Sequence, residues 1–320
     1  MSTEFGIQIE PQLGFDYASV EKIALEGEKA GYDSIWTSDH FFLDENSEDR
    51  NCMEAWTLLA ALAVKTKKIR LGTLVTCNSY RYPTVLAKIA ATVDMISNGR
   101  LFFGIGAGWK EIEYRAYGIP FPPLTERMDR MEEAIQIIRL LWTESRVTFE
   151  GKYYTVRDAV SAPNPVQNPM PPFLIGGSGE KRTLKMVAKY ADYCNLVLSP
   201  DLQHKLEVLK NHCQAAGRDY EKVGKSLFAV PGVFVTESEE ELTAHLEKRS
   251  ELNNMSVEKL TELFRQNAPG SWVGYPEEVV ERFQFFCELG FDYFQVMFPG
   301  IGEEVLRTSQ EFAKLVMKKL

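Results

Sequence analysis

The chain is poor in the residues that staple small folds or grip metals. Its 320 residues include 5 cysteines and 4 histidines. Cys52, Cys77, Cys194, Cys213 and Cys287 are odd in number and widely spaced, with no Cys-x-x-Cys pair. That pattern argues against a disulfide framework and against a zinc site, leaving free thiols as the expectation. His40, His204, His212 and His245 form no His-Glu-x-x-His pair, so no metal centre is expected. No apolar run approaches the ~18–20 residues that span a bilayer. The N-terminal stretch MSTEFGIQIEPQLGF has neither a basic nor an apolar segment, so no signal peptide is expected and the expected location is cytoplasmic. Positive charge is the scarcer sign, with 36 Lys+Arg against 45 Asp+Glu and a formal net charge of −9. Nucleic acids and anionic membrane surfaces both select a basic face, so neither is an expected partner.

What the chain does have is apolar material, 45% of its residues, enough to build a core and exclude disorder for the bulk of the sequence. That material alternates between two periods. FGIQI (5–9), DSIWTSD (33–39), IRLGTLV (69–75) and RLFFGIG (100–106) read as strands. Helical patterns separate them at 16–30, 53–65 and 83–97. Asp16 suits an N-cap, Gly31 a C-terminal stop, Pro83 a first helical position, and Asn98-Gly99 an end. A long helix is expected over 125–144 with Thr125 as N-cap. A hairpin around Glu150-Gly151 and a proline-rich loop follow. The repeat returns with strands at 172–177, 192–198, 226–235 and 291–298. Helices are expected at 178–191, 201–216, 276–290 and 303–320, and a charged helical excursion fills 238–270. Nearly continuous apolar strands imply burial on both faces and a parallel sheet. Repeated βα units fit a doubly wound sheet or a (β/α)8 barrel. About eight strands without a dividing linker favour the barrel. The expected fold is α/β, a (β/α)8 TIM barrel formed by residues 1–320 as one domain, with insertions at about 110–170 and 238–270.

In such a barrel the chemistry sits where strands end. Strand two exits through Trp36-Thr37-Ser38-Asp39-His40-Phe41-Phe42. His40 suits a general acid/base with Asp39 as acceptor; the alternative is a capping Asp39 over a packed His40. Strand three exits through Leu74-Val75-Thr76-Cys77-Asn78-Ser79-Tyr80-Arg81. A flat ring suits Leu74-Val75 with its polar edge on Thr76 or Asn78, while an ordinary exit with Arg81 in solvent fits equally. Strand four ends in Gly104-Ile105-Gly106-Ala107-Gly108-Trp109, whose glycines permit close backbone approach but do not match the dinucleotide fingerprint. The strand at 172–177 runs into Gly176-Gly177-Ser178-Gly179. Free N–H groups at a helix start, the Ser178 hydroxyl, Lys181 and Arg182 suit a phosphate; a plain glycine turn is the alternative. Trp36, Phe41, Trp56 and Trp109 are candidates for an apolar substrate wall, each otherwise core.

GYDSIWTSDHFF (31–42), IRLGTLVTCNSYRYPTVLAKIAATVDMISNGRLFFGIGAGW (69–109), PPFLIGGSGEKRTLKMVAKYADYCN (171–195) and GYPEEVVERFQFFCELGFDYF (274–294) together resemble the luciferase-like superfamily of flavin- and deazaflavin-dependent oxidoreductases. The resemblance implies an enzyme with its cofactor at the C-terminal barrel mouth, acting on a small-molecule substrate, usually as a homodimer. It implies a phosphate on Gly176, Gly177 and Ser178, and contacts to the cofactor from Asp39, Leu74, Val75, Thr76, Ala107 and Gly108. His40 and Asp39 take the catalytic places, and a non-proline cis peptide is implied at Leu74–Val75. TSDH and YRYP look more like the coenzyme F-420 (8-hydroxy-5-deazaflavin) branch than the FMN monooxygenases, which use O2 and draw reduced flavin from a reductase partner. A non-catalytic flavin-binding barrel is the third reading, against which the Asp39-His40 pair argues. Sugar-phosphate dehydrogenases of the F-420 branch carry a Glu just after the fourth-strand glycines; Trp109, Lys110 and Glu111 stand here instead.

Overall fold

A computed structural model describes residues 3–320. Eight parallel strands close into a barrel: β1 (Glu4–Ile9), β2 (Ser34–Thr37), β3 (Arg70–Thr73), β4 (Leu101–Gly106), β5 (Phe173–Gly176), β6 (Tyr193–Val197), β7 (Gly224–Ala229) and β8 (Tyr293–Met297). β8 pairs with β1, and β3 pairs with β4, so no edge is left open. Along β1 the odd positions Phe5, Ile7 and Ile9 join the core shared with the surrounding helices, as strand alternation requires. Trp36, Phe102, Leu174 and Tyr293 form a separate cluster inside the barrel. Glycine makes room there: a Cβ on Gly6 or Gly72 would collide with the Trp36 ring.

Local signals set most boundaries. Asp16 accepts from the Ser19 N–H at 2.8 Å and caps the helix Tyr17–Ala30, which ends on Gly31 at φ 92. Pro83 opens the helix Pro83–Ser97, and Asn98 at φ 57 closes it. Four expectations need correction. The strand expected over 69–75 stops at Thr73 and resumes as Thr76–Cys77, with a cis Leu74–Val75 peptide between. The helix expected at 125–144 spans Leu124–Thr143 with Pro123, not Thr125, at the N-cap; the Pro122-Pro123 pair forces the preceding chain extended. The strand expected over 226–235 breaks at Pro231, which has no N–H for a ladder. Phe234–Val235 then pairs with Val273–Gly274 outside the barrel. The helix expected from 178 begins only at Thr183, because the glycines before it nucleate helix poorly.

Two excursions interrupt the repeat. One contains the hairpin Arg146–Glu150 and Thr155–Val160, with its turn at 151–154 rather than at Glu150-Gly151. The other contains the helices Glu239–Asn253 and Val257–Arg265, capped by the Ser238 and Ser256 hydroxyls. The buried Arg282 guanidinium anchors that second excursion by donating to the carbonyls of Phe264, Gln266 and Ala268. All five cysteines are free. Among the described residues no helix is long and apolar enough to cross a membrane.

Candidate functional site

The C-terminal ends of the strands surround a cavity of about 680 Å³, a size suited to a cofactor-scale ligand. Asp39, His40, Leu74, Val75, Thr76, Ala107, Gly108, Trp109, Gly176 and Gly177 all line it. Four other candidates do not. Trp36 is 0% exposed inside the barrel, where its indole N–H donates to Ser34 Oγ at 2.6 Å. Trp56 is buried behind the sheet against Phe103. Phe41 is sandwiched between the Tyr80 and Tyr117 rings at centroid distances of 4.3 and 4.2 Å, one layer behind the wall. Ser178 lies just past Gly177, outside the wall. Trp109 is the one tryptophan of the candidate set at the cavity, and it is 72% exposed.

The glycines of β4 and β5 have a physical reason different from direct ligand contact. The chain bulges inward at Val75. A Cβ on Gly106 would lie 2.7 Å from Val75 Cγ2, one on Gly176 would lie 3.0 Å from Val75 Cγ1, and one on Gly104 would strike the Thr73 carbonyl oxygen. These glycines therefore seat the bulge, and the bulge in turn presents Leu74 and Val75 as an apolar shelf in the mouth. Gly108, at φ +77, leaves room for the Tyr114 hydroxyl and Cys77 Sγ, which lie 3.0 Å apart.

Asp39 and His40 leave β2 in two different networks. Both Asp39 carboxylate oxygens are engaged: Oδ2 accepts from the Cys77 N–H at 2.9 Å and from Arg81 Nη1 at 2.7 Å, and Oδ1 accepts from Arg81 Nη2 at 2.9 Å. Arg81 also donates to Glu54, the residue that caps the helix Ala55–Lys65. Burial works against the Arg81 charge, but Asp39 and Glu54 outweigh it and keep the guanidinium firmly protonated. His40 turns to Glu113, whose Oε2 lies 2.9 Å from Nδ1.

Glu113 is a buried hub. It accepts from the Tyr80 hydroxyl at 2.7 Å and from the N–H groups of Phe41 at 2.7 Å and Phe42 at 3.2 Å, with Lys110 Nζ at 3.5 Å. Burial pushes its pKa up, but the bonds from His40, Tyr80 and Phe41 prevail and hold it at about 2. A carboxylate can only accept, so His40 Nδ1 must carry the proton in that bond. Nε2 is then the ring nitrogen left for a ligand. Burial likewise raises the Cys52 and Cys77 thiols to about 12 and about 11, so neither is a nucleophile at neutral pH.

Sequence reasoning missed Glu113. It lies 73 positions from His40 in a short helix, Glu111–Ala116, of mixed charge, and no spacing rule links the two. Arg81 was weighed as a solvated side chain, and the structure places it on Asp39 instead.

The glycine loop is sparsely bonded. The Gly177 N–H donates to the Asn195 carbonyl at 3.1 Å, while no acceptor among the described residues takes the Ser178 or Gly179 N–H. Arg182 is committed to the Asp129 carboxylate and the Thr125 carbonyl, and Lys181 is exposed. Unspent backbone donors beside an apolar shelf fit a flat cofactor with an anionic tail. Among the described residues no cluster of His, Cys, Asp and Glu is arranged to hold a metal.

The chain is similar to known proteins. Residues 1–293 match the family described as luciferase-like monooxygenase. An F-420-dependent glucose-6-phosphate dehydrogenase of Amycolatopsis mediterranei is 29% identical over 319 residues, covering 93% of this chain and 92% of the relative. An F-420-dependent secondary alcohol dehydrogenase, solved with an F-420–acetone adduct, superposes with a TM-score of 0.80 at 22% identity, covering 99% of this chain and 98% of the other. The monooxygenase RslO1 from Streptomyces bottropensis superposes with a TM-score of 0.82 at 23% identity, covering 99% of each chain. At those identities the two structural matches speak for the fold, the elaborated (β/α)8 barrel.

Proposed function

Because the chain belongs to the luciferase-like monooxygenase family, we propose that it is an oxidoreductase transferring a hydride between coenzyme F-420 and a small organic substrate. The F-420-dependent dehydrogenases among its curated relatives support the cofactor. The observation that carries the reading is His40 on the cavity wall with Nδ1 tied to a buried, ionised Glu113.

Leu74 and Val75 would back the ring, Thr76 would meet its polar edge, and Ala107 and Gly108 would flank it. Of Gly176, Gly177 and Ser178, Ser178 would take the phosphate through its free N–H and its hydroxyl, with the Gly179 N–H beside it, while Gly176 and Gly177, whose backbone is tied to Asn195, would shape the loop. The deazaflavin, when bound, supplies a two-electron hydride acceptor or donor. The chain's own residues move the proton. In alcohol oxidation His40 Nε2 accepts the hydroxyl proton, and Glu113 stabilises the imidazolium that forms. In carbonyl reduction the same nitrogen returns it. Asp39 has a positioning part in this scheme. Clamped by Arg81 and the Cys77 N–H, it holds the β2 exit against the bulge of β3.

The same proposal includes a cytoplasmic homodimer. Five free cysteines suit a reducing compartment. Val64, Val85, Met95 and Ile96 are exposed apolar side chains on the paired helices Ala55–Lys65 and Pro83–Ser97. Light scattering on the purified protein tests the dimer.

Titration of the pure protein with F-420 and with FMN tests the cofactor. F-420 binding followed by turnover is the expected result. Tight FMN binding without F-420 binding would replace this reading with an FMN monooxygenase served by a separate reductase. Binding of either without turnover on a broad substrate panel would favour a non-catalytic flavin-binding protein.

A further inference from the structure

The cavity has no cation to spare for its substrate. Among the described residues Lys110 is the one lysine or arginine that lines it. Lys110 Nζ donates to the Phe42 carbonyl, lies 3.5 Å from Glu113 and sits 5.3 Å above the Phe42 ring, so its charge is already matched. Asp39 is matched by Arg81. Glu10, at the end of β1, is bonded only by the neutral amides of Gln8 and Gln12, so the unmatched charge on the wall is negative. Between β6 and β1 the wall is mostly hydrocarbon or thioether, from Val197, Phe228, Val230, Met297 and Leu13; its uncharged polar members Asn195 and Gln12 are already bonded to Ser226 and Gln295 and to Glu10 and Ser38. Trp109 adds an indole on the opposite rim. Arg50 and Arg249 are cations near the mouth, but they border a separate surface depression on the far side of Leu13.

Resting on the hydride-transfer reading for its chemistry, we infer that the substrate is an uncharged alcohol, or the matching ketone or aldehyde, with a hydrocarbon body, and that it is not a phosphate ester. A phosphate monoester carries nearly two negative charges at neutral pH and needs guanidinium, ammonium or several backbone donors to replace its water. The glycine loop, which has such donors, is assigned to the cofactor. Beside Glu10 and the hydrocarbon wall the ester would be desolvated without compensation and repelled. A neutral alcohol meets the opposite situation: its carbons displace water from Val197, Val230 and Met297, and its hydroxyl is the one group that must find a partner, at His40 Nε2. The reaction balances on that substrate. The carbinol C–H bond breaks with its electron pair, which passes as hydride to oxidised F-420; the O–H proton goes to His40 Nε2, and a C=O bond forms. The reverse sequence reduces the carbonyl.

The test has one arm that needs no turnover. Binding is followed by the fluorescence difference between the wild-type protein and Trp109→Phe, using isopropanol, cyclohexanol, a longer secondary alcohol and glucose 6-phosphate as probes. The alcohols should bind progressively tighter, by roughly fourfold for each methylene that becomes buried. Their binding should be insensitive to salt, and glucose 6-phosphate should give no saturable signal. In the second arm, kcat/KM with F-420 should follow the same order. Saturable binding or turnover of glucose 6-phosphate exceeding that of the alcohols would overturn the inference. Failure to bind F-420 while the alcohols bind in the expected order would sink the cofactor reading and still support the substrate class, because the binding arm does not involve the cofactor.

Discussion

The two rims of the barrel mouth are built to opposite plans. Over β2, β3 and β4 the charged groups are matched: Asp39 is bonded to Arg81 and Cys77, and His40, Tyr80 and two backbone N–H groups to Glu113, while the buried Asn78 amide is left unpaired among the described residues. Over β5, β6 and β7 the glycine loop leaves the Ser178 and Gly179 N–H groups without acceptors among the described residues, and the wall beside the already bonded Asn195 is the apolar Val197, Phe228 and Val230. A rim whose charges are matched holds the His40 ring in one orientation before any ligand arrives. An unsaturated rim has donors and apolar surface free to be satisfied by a ligand. On the proposed function, positioning and binding are divided between the rims, and substitutions should separate them.

His40→Ala should have the largest effect, lowering the hydride-transfer rate on the order of 10²–10⁴-fold, the usual contribution of a positioned acid/base. Stopped-flow cofactor reduction measures it, with F-420 affinity little changed. An unchanged rate removes His40 from the chemistry. Glu113→Ala comes next. It strands buried donors of Tyr80, Phe41 and Phe42 and should cost about 3–5 kcal/mol in urea unfolding.

Glu113→Gln separates charge from shape. Without the carboxylate the His40 imidazolium is less stabilised, so the acid limb of kcat/KM should move to lower pH; a purely structural role would leave that limb in place. Stability should respond with a definite sign. The Glu113 carboxyl is held at about 2 against an ordinary 4.5. Its stabilisation is therefore present above the ordinary value and lost as pH falls through the folded one. Glu113→Gln should flatten that loss.

On the sparse side, the excursion that follows β7 carries a second titrating group. His245 stacks on Phe234 at 4.0 Å, and burial, followed by the charges of Arg249, Lys248 and Arg307, lowers it from 6.5 to about 4. A base held down in this way stabilises the fold above its ordinary pKa and loses that contribution as pH falls from 6.5 towards 4. The loss should reach roughly 3 kcal/mol. His245→Phe keeps the stack and should remove this dependence, as read from urea midpoints on either side of the window. Ser178→Ala should have the smallest effect. Losing one hydroxyl donor from a loop with backbone donors to spare should weaken F-420 binding about three- to tenfold, with stability unchanged. A loss as large as that of His40→Ala would mean that the glycine rim also positions the reacting groups.

How much of this was legible in the sequence follows the range of the interactions. Asp16, Gly31, Pro83 and Asn98 were readable because a cap is satisfied within a few residues of itself. The eight strands were readable because burial on both faces leaves a run of apolar residues. The glycine spacing at 104–108 and 176–179 was visible, but its reason was not. It answers a bulge at Val75 on another strand, which strand spacing alone does not reveal. Trp36 and Trp109 look alike as letters at strand exits. One points into the barrel over Gly6 and Gly72 and the other into the mouth, and only the register of the closed sheet separates them.

By itself, then, the sequence determined the order of elements, the barrel they form, and which strand exits line its mouth. These rest on period, caps and turns, which are local. The tertiary structure alone decided that His40 leans on Glu113, that Asp39 is spent on Arg81, and that the pocket has no cation to offer its substrate. Each of those depends on which side chains from distant strands meet once the barrel closes, and on which of their charges are already matched there.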